Sequence, residues 1–198
     1  MQTPTHLLVS AVVGRQLAQR GFAVHLPGVL LGSVLPDLPL FLLTVGGEVY
    51  YRWFARLPVD GSVMEYLHLT LFFTDPFWIA SHNLFHSLVV NSILLGVGYL
   101  GWRCRRRWGL GLFWLAASML FHTLIDIAMH HSDGPLFLFP LNWTYRFASP
   151  VSYWEPERYG RVVMVFELGL NGVILTHFAW LWWRRRQAKW MGGVAKGE

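Results

Sequence analysis

Cysteine and charge are what this chain has least of. A single cysteine, Cys104, among 198 residues excludes an intramolecular disulfide framework and a thiolate-held metal cluster, so any metal must be held by His and carboxylate side chains. Charged residues are 14% of the sequence against 54% hydrophobic, and the mean hydropathy is +0.39. That balance excludes an ordinary soluble domain and points to an integral membrane protein. No Ser/Gly/Pro-rich linker and no internal repeat divides the apolar segments that recur from residue 7 to residue 183. A single membrane-embedded helical domain is therefore expected over residues 1–190, followed by a short cytoplasmic tail over 191–198. Basic residues are missing ahead of the first apolar run and appear after it, as Arg15 and Arg20, the reverse of a cleavable secretory signal.

The formal charge of +5 and the pI near 9.7 do not imply a nucleic-acid partner, because the basic residues cluster where apolar segments end. Such clusters set membrane orientation. The pattern predicts an all-α polytopic bundle with four full spans, at 22–44, 82–102, 108–130 and 162–183, each near the roughly 20 residues a hydrocarbon core requires. Pro36-Asp37-Leu38-Pro39 ends or kinks the first span and leaves Asp37 exposed. Residues 45–81 read as an interfacial loop with short amphipathic helices, and residues 131–161 as a second long loop rich in Trp, Tyr and Pro. The positive-inside rule puts Arg103–Arg107 and Arg184–Lys189 in the cytoplasm and both long loops outside. A short N-terminal helix over residues 4–20 completes the bundle; at 1.5 Å per residue, about 15 of its residues reach about 22 Å, most of a core about 30 Å thick. Running inward, it starts His6 at the outer level.

Several ionisable residues fall at that same outer level. His122, Asp126 and His130 are spaced four apart and stack on one helical face. His82 and His86 repeat the step, and Asp37 and His6 share the depth. Ionisable groups within a span cost roughly 2.5–3.5 kcal/mol near its centre, so they need a partner or a task. Imidazole and carboxylate are the donor set for a divalent metal, zinc foremost, with manganese or iron as alternatives. The candidate ligands are His6, Asp37, His82, His86, His122, Asp126 and His130, more than one tetrahedral ion uses. Asp126 and Glu167 are candidates for the catalytic base. His131 and Asp133 read as ordinary solvated loop residues, and His25, His68 and His177 as structural or interfacial ones.

In order along the chain, Thr5-His6, Gly32-Ser33-Val34-Leu35-Pro36-Asp37, His82 to Ser87, and His122 to Asp126 with Gly134 and Phe139-Pro140 resemble the bacterial inner-membrane-associated metal-dependent hydrolases, some of which carry a LexA-binding label. The resemblance implies a multi-pass protein of the bacterial inner membrane with a metal-dependent hydrolase site. Three positions depart from that family's pattern: Pro39 replaces an acid, and Asn83 and Phe85 replace the Arg and Thr usual inside the His-x-x-x-His segment.

The expected function is hydrolysis of an ester or phosphoester at a His/Asp metal site near the outer face. Beyond the lipid bilayer, the implied partner is a lipid-linked or phospholipid substrate. The alternative is a non-enzymatic membrane protein: an ion or metal carrier, or a structural or partner-binding protein in which the same residues form a polar seam between helices. The apolar lower halves of the spans disfavour a carrier, which needs a polar path through the membrane. Reporters fused after Gly14 and at the C-terminus are both expected on the cytoplasmic side. An extracytoplasmic Arg103–Arg107 turn would overturn the placement of the site.

Overall fold

The computed structural model describes residues 1–194, with side chains through Gln187; of the expected tail, residues 195–198 lie outside the described residues. Every regular element among the described residues is helical. Proline opens many of them. Helices α1 (Thr3–Gln19), α2 (Leu26–Val34), α3 (Leu38–Trp53) and α6 (Pro76–Phe85) each carry Pro in the first two positions, where its missing N–H costs no hydrogen bond and its fixed φ suits the helix. Between α3 and α6 run the single turns α4 (Val63–Glu65) and α5 (Phe72–Thr74), joined by a π-helical stretch at Tyr66–Leu71. The long helices follow: α7 (Leu88–Arg103), α8 (Gly109–Met129) and α9 (Gly160–Val194), the last preceded by a loop with a short 3-10 turn at Pro156–Arg158.

Two helices, α8 and α9, are each long and apolar enough to cross a membrane. There are up to four such crossings if the bent pairs α2–α3, at 45°, and α6–α7, at 42°, each count as one. Both bends correct the boundaries read from sequence. The first span does not end near residue 44. It begins at Leu26, breaks before Leu38 and continues to Trp53, because Pro39 restarts the helix instead of terminating it. Residues 45–53 are thus helical, not loop. His82 and His86 do not lie on the helix that follows them: His82 belongs to α6 and His86 caps its C-terminus. The break has a local cause, since Ser87 accepts a hydrogen bond from the Val90 N–H and so starts α7 afresh.

Relative directions follow from paired contacts. Gly28 faces Gly111, Gly32 faces Leu115 and Ser118, and the Ser33 carbonyl meets His122, so α2 and α8 run parallel. Gly14 of α1 packs on Leu26 and Val29 while His6, near its start, reaches Asp126; α1 therefore runs opposite to both. One end of the bundle consequently receives the start of α1, the end of α2, the end of α6 and the end of α8. The interior is unusually polar for a small domain. His6, Ser33, Asn83, His86, Asn91, His122, Thr123 and Asp126 are buried, whereas Phe41, Ile93, Leu100, Val165, Phe166 and Val173 are exposed, the distribution that a lipid surround requires.

Close approach of α2 to α8 depends on Gly32. A Cβ there would collide with the Leu115 carbonyl and come within 2.9 Å of the Ser118 Cβ. Gly32→Ala is expected to lower stability by about 1–3 kcal/mol, the usual cost of overpacking, in thermal or denaturant unfolding of the detergent-solubilised protein. Gly96→Ala, at a site with open space around it, should leave stability unchanged or slightly raised.

Candidate metal centre

Four side chains from three segments converge at that end of the bundle. Asp37 stands at the α2–α3 bend, His86 at the α6–α7 break, and His122 and Asp126 one turn apart on α8. One donor atom from each lies within 4.8 Å of the others. Asp37 is not exposed as its sequence context implied. The bend turns it inward, and its side chain is 26% exposed. Thr3 of α1 donates its hydroxyl proton to Asp37 Oδ2, leaving Oδ1 for the cluster.

The imidazoles are held by their far nitrogens. His122 Nδ1 lies 2.8 Å from the Ser33 carbonyl and His86 Nδ1 lies 2.9 Å from the His82 carbonyl. A carbonyl only accepts, so each Nδ1 carries a proton, and in the neutral ring Nε2 is a lone pair. Those lone pairs face carboxylate oxygens. His122 Nε2 is 2.9 Å from Asp126 Oδ2 and 3.4 Å from Asp37 Oδ1, and His86 Nε2 is 3.5 and 3.4 Å from the same two atoms. Despite the 2.9 Å approach, His122 Nε2 makes no hydrogen bond. Four mutually repelling acceptors require positive charge between them, supplied by protons on the rings or by a cation. Donors bound at about 2.0–2.2 Å around a tetrahedral ion stand about 3.3 Å apart, close to the four nitrogen–oxygen distances of 2.9–3.5 Å here. The carbonyls behind the two rings are the outer partners that fix ring tautomer and direction around a metal.

The other sequence candidates fall around this group. His6 stacks on His122 with ring centroids 3.7 Å apart and places Nε2 2.9 Å from Asp126 Oδ1. His130 Nε2 is 3.9 Å from the same oxygen, and its Nδ1 meets Asp133 Oδ1 at 2.9 Å. His82 is buried beside His86, ring centroids 4.4 Å apart, with its Nδ1 unpartnered. Glu167 stands apart from the cluster: it accepts the Gln2 N–H at 3.3 Å, and Asn171, one turn on, donates to Thr5, so the pair ties α9 to the start of α1.

Asp133 was the residue the sequence reading undervalued. Burial pushes its carboxyl up, but hydrogen bonds from His130 and from Trp154 Nε1, the latter at 3.0 Å, outweigh that and hold it below the usual carboxylate range. Its position three residues after His130 was a usable signal. Nearby, Tyr153 is pushed above its ordinary value by burial and by surrounding carboxylates, so it stays a neutral phenol. Thr3 could not have been found from spacing, since only the fold brings it to Asp37.

A cavity of about 880 Å³ opens onto the cluster. Asp37, His82, His86, Asp126 and His130 stand on its floor, and Leu40, Phe41, Met64, Leu69, Phe72 and Phe73 make an apolar wall from α3 and the 63–74 segment. The loop after α8 closes the opposite side. Asn83, one of the departures from the family pattern, anchors that loop: its Oδ1 accepts the Leu136 N–H at 2.6 Å and its Nδ2 donates to Ile79.

A lipid-facing helical bundle with a buried His/carboxylate centre at one end defines the protein as a polytopic membrane protein able to hold a metal ion. The chain belongs to the YdjM inner membrane protein family, whose model matches residues 1–195. No curated protein and no solved structure matches it.

Asn83→Ala would leave the buried Leu136 N–H without an acceptor, at a cost of about 1–3 kcal/mol. The expected result is a lower unfolding midpoint and faster protease nicking within residues 131–159.

Proposed function

We propose that the cluster of Asp37, His86, His122 and Asp126 holds a divalent metal, with zinc the best match, and that the protein hydrolyses an ester or phosphoester presented from the bilayer. The observation that carries this reading is the tautomer lock: the Nε2 lone pairs of His86 and His122 are aimed at Asp37 Oδ1 and Asp126 Oδ2, while the donors Thr3 and the Met1 ammonium engage the other oxygen of each carboxylate. Two nitrogens and two carboxylate oxygens suit zinc, manganese or iron, and zinc accepts four-coordinate geometry most readily.

A divalent ion held there supplies Lewis acidity and lowers the pKa of bound water toward about 7. The chain supplies the rest. Thr3 and Ser33 fix Asp37 and His122 in place. Asp126, a ligand in this arrangement, is engaged on both oxygens, and Glu167 does not line the cavity. The proton-accepting role then falls to His82, which lines the cavity beside His86 with Nδ1 free. The apolar wall excludes water from one side and suits acyl or prenyl chains, which favours a phospholipid or lipid-linked substrate.

The polar-seam alternative is favoured by two contacts, the direct 2.9 Å approaches of His6 Nε2 and of the Met1 ammonium to Asp126, which hold the N-terminal segment to α8 without any metal ion. The two readings separate on metal content. Elemental mass spectrometry of the detergent-purified protein is expected to find bound zinc, manganese or iron, and His86→Ala/Asp126→Ala is expected to lose it while remaining helical. Metal-dependent cleavage of phosphodiester and phospholipid substrates should disappear in the same variant. A metal-free wild type that also fails to take up added zinc would leave the seam reading in place.

A further inference from the structure

Asp126 has two oxygens, and the four-residue group uses only one of them. Oδ2 faces His86 and His122; Oδ1 faces the other way, toward the Met1 ammonium and His6 Nε2, each at 2.9 Å, and toward His130 Nε2 at 3.9 Å. The two imidazole distances bracket the spacing of about 3.3 Å expected between donors around one tetrahedral ion. The gap to His130 is too long for a hydrogen bond, yet the ring is not idle. Asp133 accepts its Nδ1 proton at 2.9 Å and is itself fixed by Trp154. A carboxylate behind an imidazole, with the far nitrogen aimed into a cavity, is the arrangement that orients a metal-binding histidine and raises its basicity. In a purely structural seam His130 would close on Asp126.

We propose that Asp126 bridges two cations, the first held on Oδ2 as described and the second on Oδ1 by His6 Nε2 and His130 Nε2. This rests on the metal reading of the four-residue group and adds a distinct site to it. A second ion there displaces the Met1 ammonium from Oδ1, and its three protein donors leave it an open position, as hydrolytic sites keep. Asp126 and His130 both line the cavity, so that position faces the space where substrate enters. Two ions bridged by one carboxylate clamp the attacking and leaving oxygens of a phosphoester, so the pair narrows the substrate class from esters in general to phosphoesters. Asp133 serves as a positioning residue that acts through His130.

The test is ion stoichiometry on the full-length protein in detergent, loaded with zinc or manganese and dialysed. The wild type is expected to retain two ions per chain, and manganese-loaded protein to show a spin-coupled paramagnetic resonance spectrum. His130→Ala should retain one ion and show an uncoupled spectrum; that retained ion reports an intact first site and an intact fold. Asp133→Asn, which removes no ligand, should keep both ions at saturation and bind the second about 10–100-fold more weakly. One ion in both wild type and His130→Ala would overturn the second site and leave the first standing. Two ions in both, or loss of both ions in His130→Ala, would overturn the assignment to His130. No ion in the wild type would overturn the metal reading and this inference together.

Discussion

Asp126 is the group on which the rest of this structure depends. It is a carboxylate, 3% exposed, near the end of an apolar helix, and isolation there would be prohibitively unfavourable. Around it the chain brings imidazoles from α1, α6 and α8 and a second carboxylate from the α2–α3 bend. Because His86 and His122 each turn a proton outward to a carbonyl, their neutral rings bring no positive charge to the centre, and the Met1 ammonium, 2.9 Å from Asp126 Oδ1, reaches that one oxygen. Whatever positive charge occupies the centre contributes directly to holding four segments together.

The helices around the centre are arranged to deliver side chains to one depth. Parallel packing of α2 on α8 carries Ser33 to His122 and Asp37 to Asp126. The opposite course of α1 carries His6 to the same level from the other direction. Each broken pair places a ligand at its break, where the chain changes direction and a side chain can be aimed sideways into the bundle. An unbroken helix would present Asp37 or His86 on only one of its faces, set by the 3.6-residue repeat. A helix that stops and restarts is free of that constraint.

Much of this was legible in the sequence. The spacing of His122 with Asp126 and of His82 with His86, the scarcity of charge and the placement of arginines together specified an all-helical membrane bundle with a polar cluster at one end. The limits of α8 were read almost to the residue, because a glycine-bounded apolar run with basic residues before it leaves little choice. The errors lie at prolines and caps. Pro39 lies at the expected kink but opens a helix that runs on to Trp53, past the expected end near residue 44, and Ser87 separates His82 and His86 from the helix that follows. In both cases local hydrogen-bond chemistry overrode the hydropathy pattern. His82 was indistinguishable from His86 in sequence. Only the fold separates them, turning one into the four-residue group and leaving the other in the cavity lining with a buried ring nitrogen that has no hydrogen-bond partner.

The break between α6 and α7 has a covering that matters in another way. Leu88 gives its N–H to the Phe137 carbonyl at 2.9 Å, and Ser87 gives its hydroxyl proton to Phe139. Backbone groups freed by an interrupted helix cannot be left facing hydrocarbon, and here a loop some fifty residues downstream satisfies them. That loop is thus a missing piece of the α6–α7 element, supplied from elsewhere in the chain. Its length and path are tied to the interruption, so the two must change together over evolution: a lineage that healed the break into a continuous helix would release the loop to vary and would lose the sideways aim of His86.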